Sequence, residues 1–178
     1  FMQSLYTTLN GGFFYETPDL YWNKTGNFLS VHFSILAFIL LPIYYLLPYA
    51  ETLLILQSLL LGSSGIILYK ITLNVTGDKS LSNILLISYL SSAALHGANL
   101  YDFHMESFIP FLIFLSTLYF IRGRVTLAAL TAILLMLAIY TLAPLIILSL
   151  TYLVMLLEKG KRYKYMLQQT LFSTIVIG

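Results

Sequence analysis

Twelve residues, His96 to Ser107 ("HGANLYDFHMES"), hold two histidines, an asparagine, an aspartate and a glutamate. They lie between two apolar runs of a chain in which only 9% of residues are charged. Asp102, His104 and Glu106 alternate, and in extended backbone all three side chains point to one side. That would make an oxygen–nitrogen–oxygen set able to hold a divalent cation such as Mg or Mn, or a metal-bound phosphate. In a helix Asp102 and Glu106 share a face and His104 points elsewhere, which gives a carboxylate pair, one member of which could act as a base. The plainer alternative is that the acids favour the N-terminal dipole of the helix that follows, with His104 merely at the interface. Polar groups near membrane depth are costly and mark sites. On that ground Asp102, His104 and Glu106 are the candidate catalytic residues, and the same three are the candidate metal ligands.

Five further residues are candidates for binding substrate. His96 and Asn99 precede the alternating set across Gly97-Ala98, a small pair that lets backbone or a ligand come close; the alternative is that they simply end a helix. His32 opens an apolar run and could face the same side as Asp102. Glu16 and Asp19, in "YETPDLYW", are the two acids of residues 1–30. They could position a cation or sugar hydroxyls, or they could belong to a solvated turn, since Thr17-Pro18-Asp19 is turn chemistry.

The elements that must position these groups follow from composition. The chain is 59% hydrophobic with mean hydropathy +0.88, whereas soluble domains carry about 25% charged residues. This is the composition of an integral membrane protein. Runs such as "ILLISYL" do not alternate, so the spans are helices, which satisfy their own backbone polar groups in lipid, rather than barrel strands. The expected architecture is all-α: a polytopic transmembrane helix bundle in the plasma membrane. Spans are expected at about 53–73, 81–95, 108–121, 125–142, 144–157 and 166–178. The run 31–48, interrupted by Pro42, either spans or dips into the outer leaflet and returns. With no cysteine, disulfides and thiol-ligated metals are excluded. A net charge of +2 gives no argument for nucleic acid.

Eight of the nine Lys and Arg residues fall in three clusters: Lys70 with Lys79, Arg122 with Arg124, and Lys159, Lys161, Arg162 and Lys164. Two runs separate each cluster from the next, so all three can be cytoplasmic and His96–Ser107 is then external. Residues 1–30 form a first loop with juxtamembrane segments, external if the run 31–48 does not span, and 31–178 form the transmembrane domain. The chain opens at Phe1 inside an amphipathic segment and closes at Gly178 inside an apolar run. It is read as part of a longer polytopic protein.

"GNFLSVHFSILAFILLPIYYLLP" followed by "GANLYDFHMES" resembles the predicted membrane proteins grouped as domain of unknown function 2079, over about residues 1–120. That family is distantly similar to the GT-C glycosyltransferases, which use polyprenyl-phosphate-linked sugars. The resemblance implies a GT-C-like fold whose first long loop is external and carries a catalytic Asp or Glu. The loop holding Asp102, His104 and Glu106 would face the same cavity. Two features depart from the family pattern. An acidic stretch before the part matching "FMQSLYTTL" is not in this chain, and Met2 stands where an Asp is usual. "IYTLAP" replaces a charged element between later spans.

The expected function is therefore transfer of a sugar from a polyprenyl-phosphate donor at the external face, with bound lipid and other membrane subunits as further partners. The alternative is a noncatalytic polytopic subunit that binds lipid or a protein partner. A transporter is the weakest expectation, because no span carries a charge pair near its middle.

Overall fold

The computed structural model describes residues 1–138, and within them the chain is helical without strands. The expected spans 144–157 and 166–178, the end of 125–142 and the Lys159–Lys164 cluster lie outside the described residues. The elements in order are α1 (Met2–Leu9), a 3-10 turn (Thr17–Tyr21), α2 (Phe28–Val31), α3 (Ala37–Leu46), α4 (Ala50–Thr76), α5 (Lys79–Leu90), α6 (Ala93–Leu100), a second 3-10 turn (Met105–Ser107), α7 (Phe108–Ile121) and α8 (Val125–Ala138).

α4 has 27 residues, about 40 Å at 1.5 Å per residue, and is the one helix here long and apolar enough by itself to cross a membrane. Its polar side chains cause no penalty because Ser64, Thr72 and Thr76 each donate to the carbonyl four residues back. Gly77 ends it in the left-handed conformation (φ +70), returning its N–H to Leu73, a geometry that costs glycine least. Asp78 then caps α5, accepting from the N–H groups of Ser80 and Leu81 at 2.7 and 3.1 Å. The run 81–95, read from the sequence as continuous, is broken. Ser91-Ser92 separates α5 from α6 with a bend of 43°. The break is in the backbone: Ser92 is extended (ψ 127) and its carbonyl accepts the His96 N–H at 3.1 Å, which starts α6 anew without a side-chain cap.

The helices pack as α4 on α5 and α7, and α7 on α8. Ser116 Oγ of α7 donates to the Ala128 carbonyl of α8 at 3.0 Å. The chain therefore runs from the connection at 101–107 along α7, turns at Arg122–Arg124 and returns along α8. There the Leu137 carbonyl accepts the Ile35 N–H at 2.9 Å. The Lys79 and Arg122–Arg124 turns lie at the opposite end from residues 101–107. Of the run 31–48, Val31 ends α2 and only Ala37–Leu46 forms a helix of its own, α3, with Pro42 inside it. Ten residues make α3 about 15 Å long, half of a hydrocarbon core of about 30 Å.

Residues 10–27 fold back onto α1. Thr7 Oγ1 donates to the Tyr15 carbonyl and Thr8 Oγ1 accepts the Phe14 N–H, at 2.8 and 2.9 Å. Gln3 and Thr17 exchange two hydrogen bonds of 2.9 Å. Leu5, Phe14 and Phe28 are buried in the same cluster as Leu53, Phe103 and Leu112, so the first loop is packed into the helical core. Gly26 closes this loop at φ +61, and a Cβ there would lie 2.7 Å from the Tyr15 ring and 3.1 Å from the Glu16 carbonyl oxygen. Gly26→Ala is expected to cost about 1–3 kcal/mol, read as a lower melting temperature of the purified protein.

Candidate functional site

The connection at 101–107 is neither extended throughout nor α-helical: the backbone is extended at His104, and Met105–Ser107, which holds Glu106, is a 3-10 turn. His104 has φ −131 and ψ 140. Phe103, Met105 and Ser107 are buried, while Asp102, His104 and Glu106 are exposed. The buried alternates anchor the segment. Phe103 stacks on Phe1 with ring centroids 5.2 Å apart, and Ser107 Oγ donates to the His104 carbonyl at 2.6 Å. The third anchor is Gln57 of α4, only 1% exposed. Its Oε1 accepts the His104 N–H at 3.0 Å and its Nε2 donates to the Ala98 carbonyl at 3.0 Å. Sequence reasoning missed Gln57; the available signal was one amide inside the apolar run "LLILQSLLL".

The alternating set does not close on itself. Asp102 Oδ1 accepts the Phe103 N–H at 2.8 Å, and His104 Nδ1 lies 2.7 Å from the Asp102 carbonyl oxygen. A carbonyl only accepts, so Nδ1 carries the proton there and Nε2 is the nitrogen left to a ligand. Among the described residues, no three His, Cys, Asp or Glu side chains gather as a group able to hold a metal ion.

The solvated-turn reading of Glu16 and Asp19 is overturned. Glu16 is 6% and Asp19 3% exposed, because the 3-10 turn starting at Thr17-Pro18 tucks both beneath the loop. Glu16 Oε2 lies 2.9 Å from the main-chain nitrogen of Phe1. Asp19 Oδ1 is 3.8 Å from His32 Nε2, and Asp19 Oδ2 is buried with no hydrogen-bond partner among the described residues. Burial pushes the Asp19 carboxyl above its usual value of 3.8; the Glu16 charge adds to this, and His32 partly offsets it. A carboxyl raised in the folded state stabilises the fold only while protonated. That contribution is complete below pH 3.8 and is lost as pH rises through the folded-state value. Asp19→Asn is therefore expected to raise the melting temperature at pH 7, with the gain disappearing on acidification; equal gains at both pH values would refute the assignment.

These groups meet in one cavity of about 340 Å³. Its wall includes Glu16, His32 and Ser34 from the N-terminal part, Asp102, His104 and Glu106 from the connection, and the rings of Phe1 and Phe28. A second cavity of about 450 Å³, lined mainly by apolar residues of α4, α5, α6 and α7, shares His104 and Glu106 with the first. Of the five candidates for binding substrate, Glu16 and His32 are on the wall of the first cavity and Asp19 contacts His32 beside it. His96 is exposed on α6 and lines neither cavity. Asn99 bonds Ser58 of α4 through its Oδ1 at 2.9 Å, tying α6 to α4. Gly97 permits no close approach: a Cβ there would find nothing within 4 Å.

No curated protein and no solved structure matches the chain. The family model described as Predicted membrane protein (DUF2079) matches residues 1–178. With its apolar composition, its membrane-length α4 and this match over its whole length, the chain belongs to the DUF2079 family of predicted membrane proteins.

Proposed function

We propose that the protein is a polytopic, GT-C-like glycosyltransferase of the plasma membrane that takes a sugar from a polyprenyl-phosphate donor at the external face. The observation that carries this reading is the shared cavity: residues of the N-terminal part and of the Asp102–Glu106 connection line it together, at the end of the helices away from the basic turns. On this reading α4, α5 with α6, α7 and α8 cross the bilayer, the basic turns are cytoplasmic and α3 dips into the outer leaflet. Among the described residues, His32 and His104 are the two side chains on the wall able to carry positive charge, and they steady the leaving phosphate. A wall carboxylate, Glu16, Asp102 or Glu106, takes the proton from the acceptor hydroxyl. The apolar second cavity adjoins His104 and Glu106 and gives room for the first isoprene units. Among the described residues no group assembles a site for Mg or Mn, and no step is routed through a metal.

The alternative is a noncatalytic subunit that binds lipid or a membrane partner. One observation favours it: position 2, next to the cavity-lining Phe1, is Met where the resemblance implies an Asp. Mass spectrometry of lipids bound to the purified full-length protein separates the two. Polyprenyl phosphate or its glycoside is expected on the wild type and lost in Asp102→Ala with His104→Ala. Bulk lipids alone on both proteins, each folded, would overturn the donor site.

A further inference from the structure

Two Asn-X-Thr triplets occur in the chain, Asn23-Lys24-Thr25 and Asn74-Val75-Thr76. Such a triplet is the acceptor pattern for N-linked glycans, and it serves only on a surface segment outside the cytoplasm. The fold puts the two at opposite ends of α4. Asn74 lies in its last turn, between Lys70 and Lys79. Asn23 lies in the first loop, whose Phe14 is buried with Leu53, near the start of α4, and with Phe103. A membrane crossed by α4 therefore exposes the triplets on opposite sides, and the basic turns mark the Asn74 side as cytoplasmic.

Local structure separates them as well. α4 engages Asn74 and Thr76 in bonds along the helix: Asn74 Nδ2 donates to the Lys70 carbonyl at 2.6 Å and Thr76 Oγ1 to the Thr72 carbonyl at 2.8 Å. Asn23 sits instead in a turn of its own making, outside any helix. Its Oδ1 accepts the Thr25 N–H at 2.9 Å and the Thr25 hydroxyl at 2.5 Å, the closure that suits asparagine to turns. The hydroxyl and the amide of this triplet are thus already together. The amide nitrogen is the loosely held end: among the described residues its bond is one of 3.3 Å to the Asn27 carbonyl, long for an N–H···O bond. Lys24 and Thr25 are exposed.

We infer that Asn23 is N-glycosylated in the membrane, by a glycosyltransferase that takes its glycan from a lipid-phosphate donor. In that step Asn23 Nδ2 bonds the anomeric carbon of the first sugar and gives a proton to a base of that enzyme. The bond from the anomeric carbon to the phosphate oxygen breaks, and the lipid phosphate leaves with the electron pair; nothing is oxidised or reduced. The inference rests on the outward orientation of the first loop, and not on the chain's own transfer activity.

The test is glycopeptide mass spectrometry of the full-length protein purified from membranes of the organism that makes it. A glycan is expected on the peptide carrying Asn23 and none on the one carrying Asn74. Asn23→Gln should lose it, and so should Thr25→Ala, whereas Thr25→Ser, which keeps the hydroxyl, should retain it. The last two variants leave the Asn23 amide in place, so they carry the test if Asn23→Gln fails to fold. Unmodified Asn23 in the wild type, a glycan on Asn74, or an Asn23 glycan unaffected by Thr25→Ala would each overturn the inference. Orientation is read separately. The chain has no cysteine, so Lys24→Cys in the Thr25→Ala background gives a single thiol for a membrane-impermeant maleimide on intact cells. A labelled thiol with unmodified wild-type Asn23 removes the modification and keeps the orientation. A thiol that reacts only after the membrane is opened removes both.

Discussion

Gln57→Leu is expected to cost about 2–5 kcal/mol of stability and to release residues 98–104 from α4. Leucine fits the apolar surroundings of a residue that is 1% exposed, so packing volume is nearly kept. What is lost is the pair of hydrogen bonds to the His104 N–H and the Ala98 carbonyl. Each backbone group left without its partner costs about 1–3 kcal/mol when buried; Ala98 and His104 are themselves exposed residues, so water replaces part of the loss and the two together stay below the full sum of about 6 kcal/mol. Gln57→Glu distinguishes this from a packing effect. It retains the acceptor for His104 but loses the donor to Ala98 and places a charge in an apolar helix, so it should be at least as harmful. His96→Ala, on an exposed face of α6, should stay within about 0.5 kcal/mol. Thermal unfolding in detergent, with limited proteolysis of the 101–107 connection, reads all three. A Gln57→Leu protein as stable as the wild type would show that the clamp does not hold the connection.

The clamp also shows where the sequence stops being legible. Apolar runs give the helices, because a bilayer-grade stretch has few other ways to satisfy its backbone; α7 covers the run 108–121, and α4 encloses the run 53–73. The break at Ser91-Ser92 was hidden because "SYLSSAALHG" keeps its hydropathy across the bend, and the cap that makes it is backbone geometry. Asp102, His104 and Glu106 were legible as alternating polar residues, but both extended and helical backbones fit that pattern. The outcome, extended at His104 and 3-10 over Met105–Ser107, is set by what lies under it: Phe103 against Phe1, and Gln57 reaching 47 residues along the chain. Turn chemistry at Thr17-Pro18-Asp19 pointed to solvent, and Thr17, Pro18, Leu20 and Tyr21 are indeed exposed, yet the Glu16 and Asp19 side chains turn inward and are buried. Contacts of that range are set by tertiary packing, which overrides local propensity.

If the transfer reading holds, His104→Ala is expected to lower the transfer rate by about 10²–10³, the range for removing one preorganised stabiliser of developing charge, while leaving stability nearly unchanged. The two effects separate because the structural bond of this residue belongs to its backbone. The main-chain N–H, not the ring, is held by Gln57, and alanine keeps it. The ring makes its hydrogen bond to the Asp102 carbonyl, which fixes its orientation and turns Nε2 toward a ligand, the preorganisation that such catalysis requires. His32 is held more loosely: its ring is 58% exposed and 3.8 Å from Asp19, so His32→Ala should cost less, about tenfold. Both histidines line one cavity, and if they steady the same phosphate, the double variant should fall short of the product of the single effects. Transfer from a polyprenyl-phosphate sugar, measured for the three variants beside their melting temperatures, gives the comparison. A His104→Ala enzyme within tenfold of the wild type, or a rate loss that follows its loss of stability, would remove His104 from the chemistry and leave it as part of the connection that Gln57 holds.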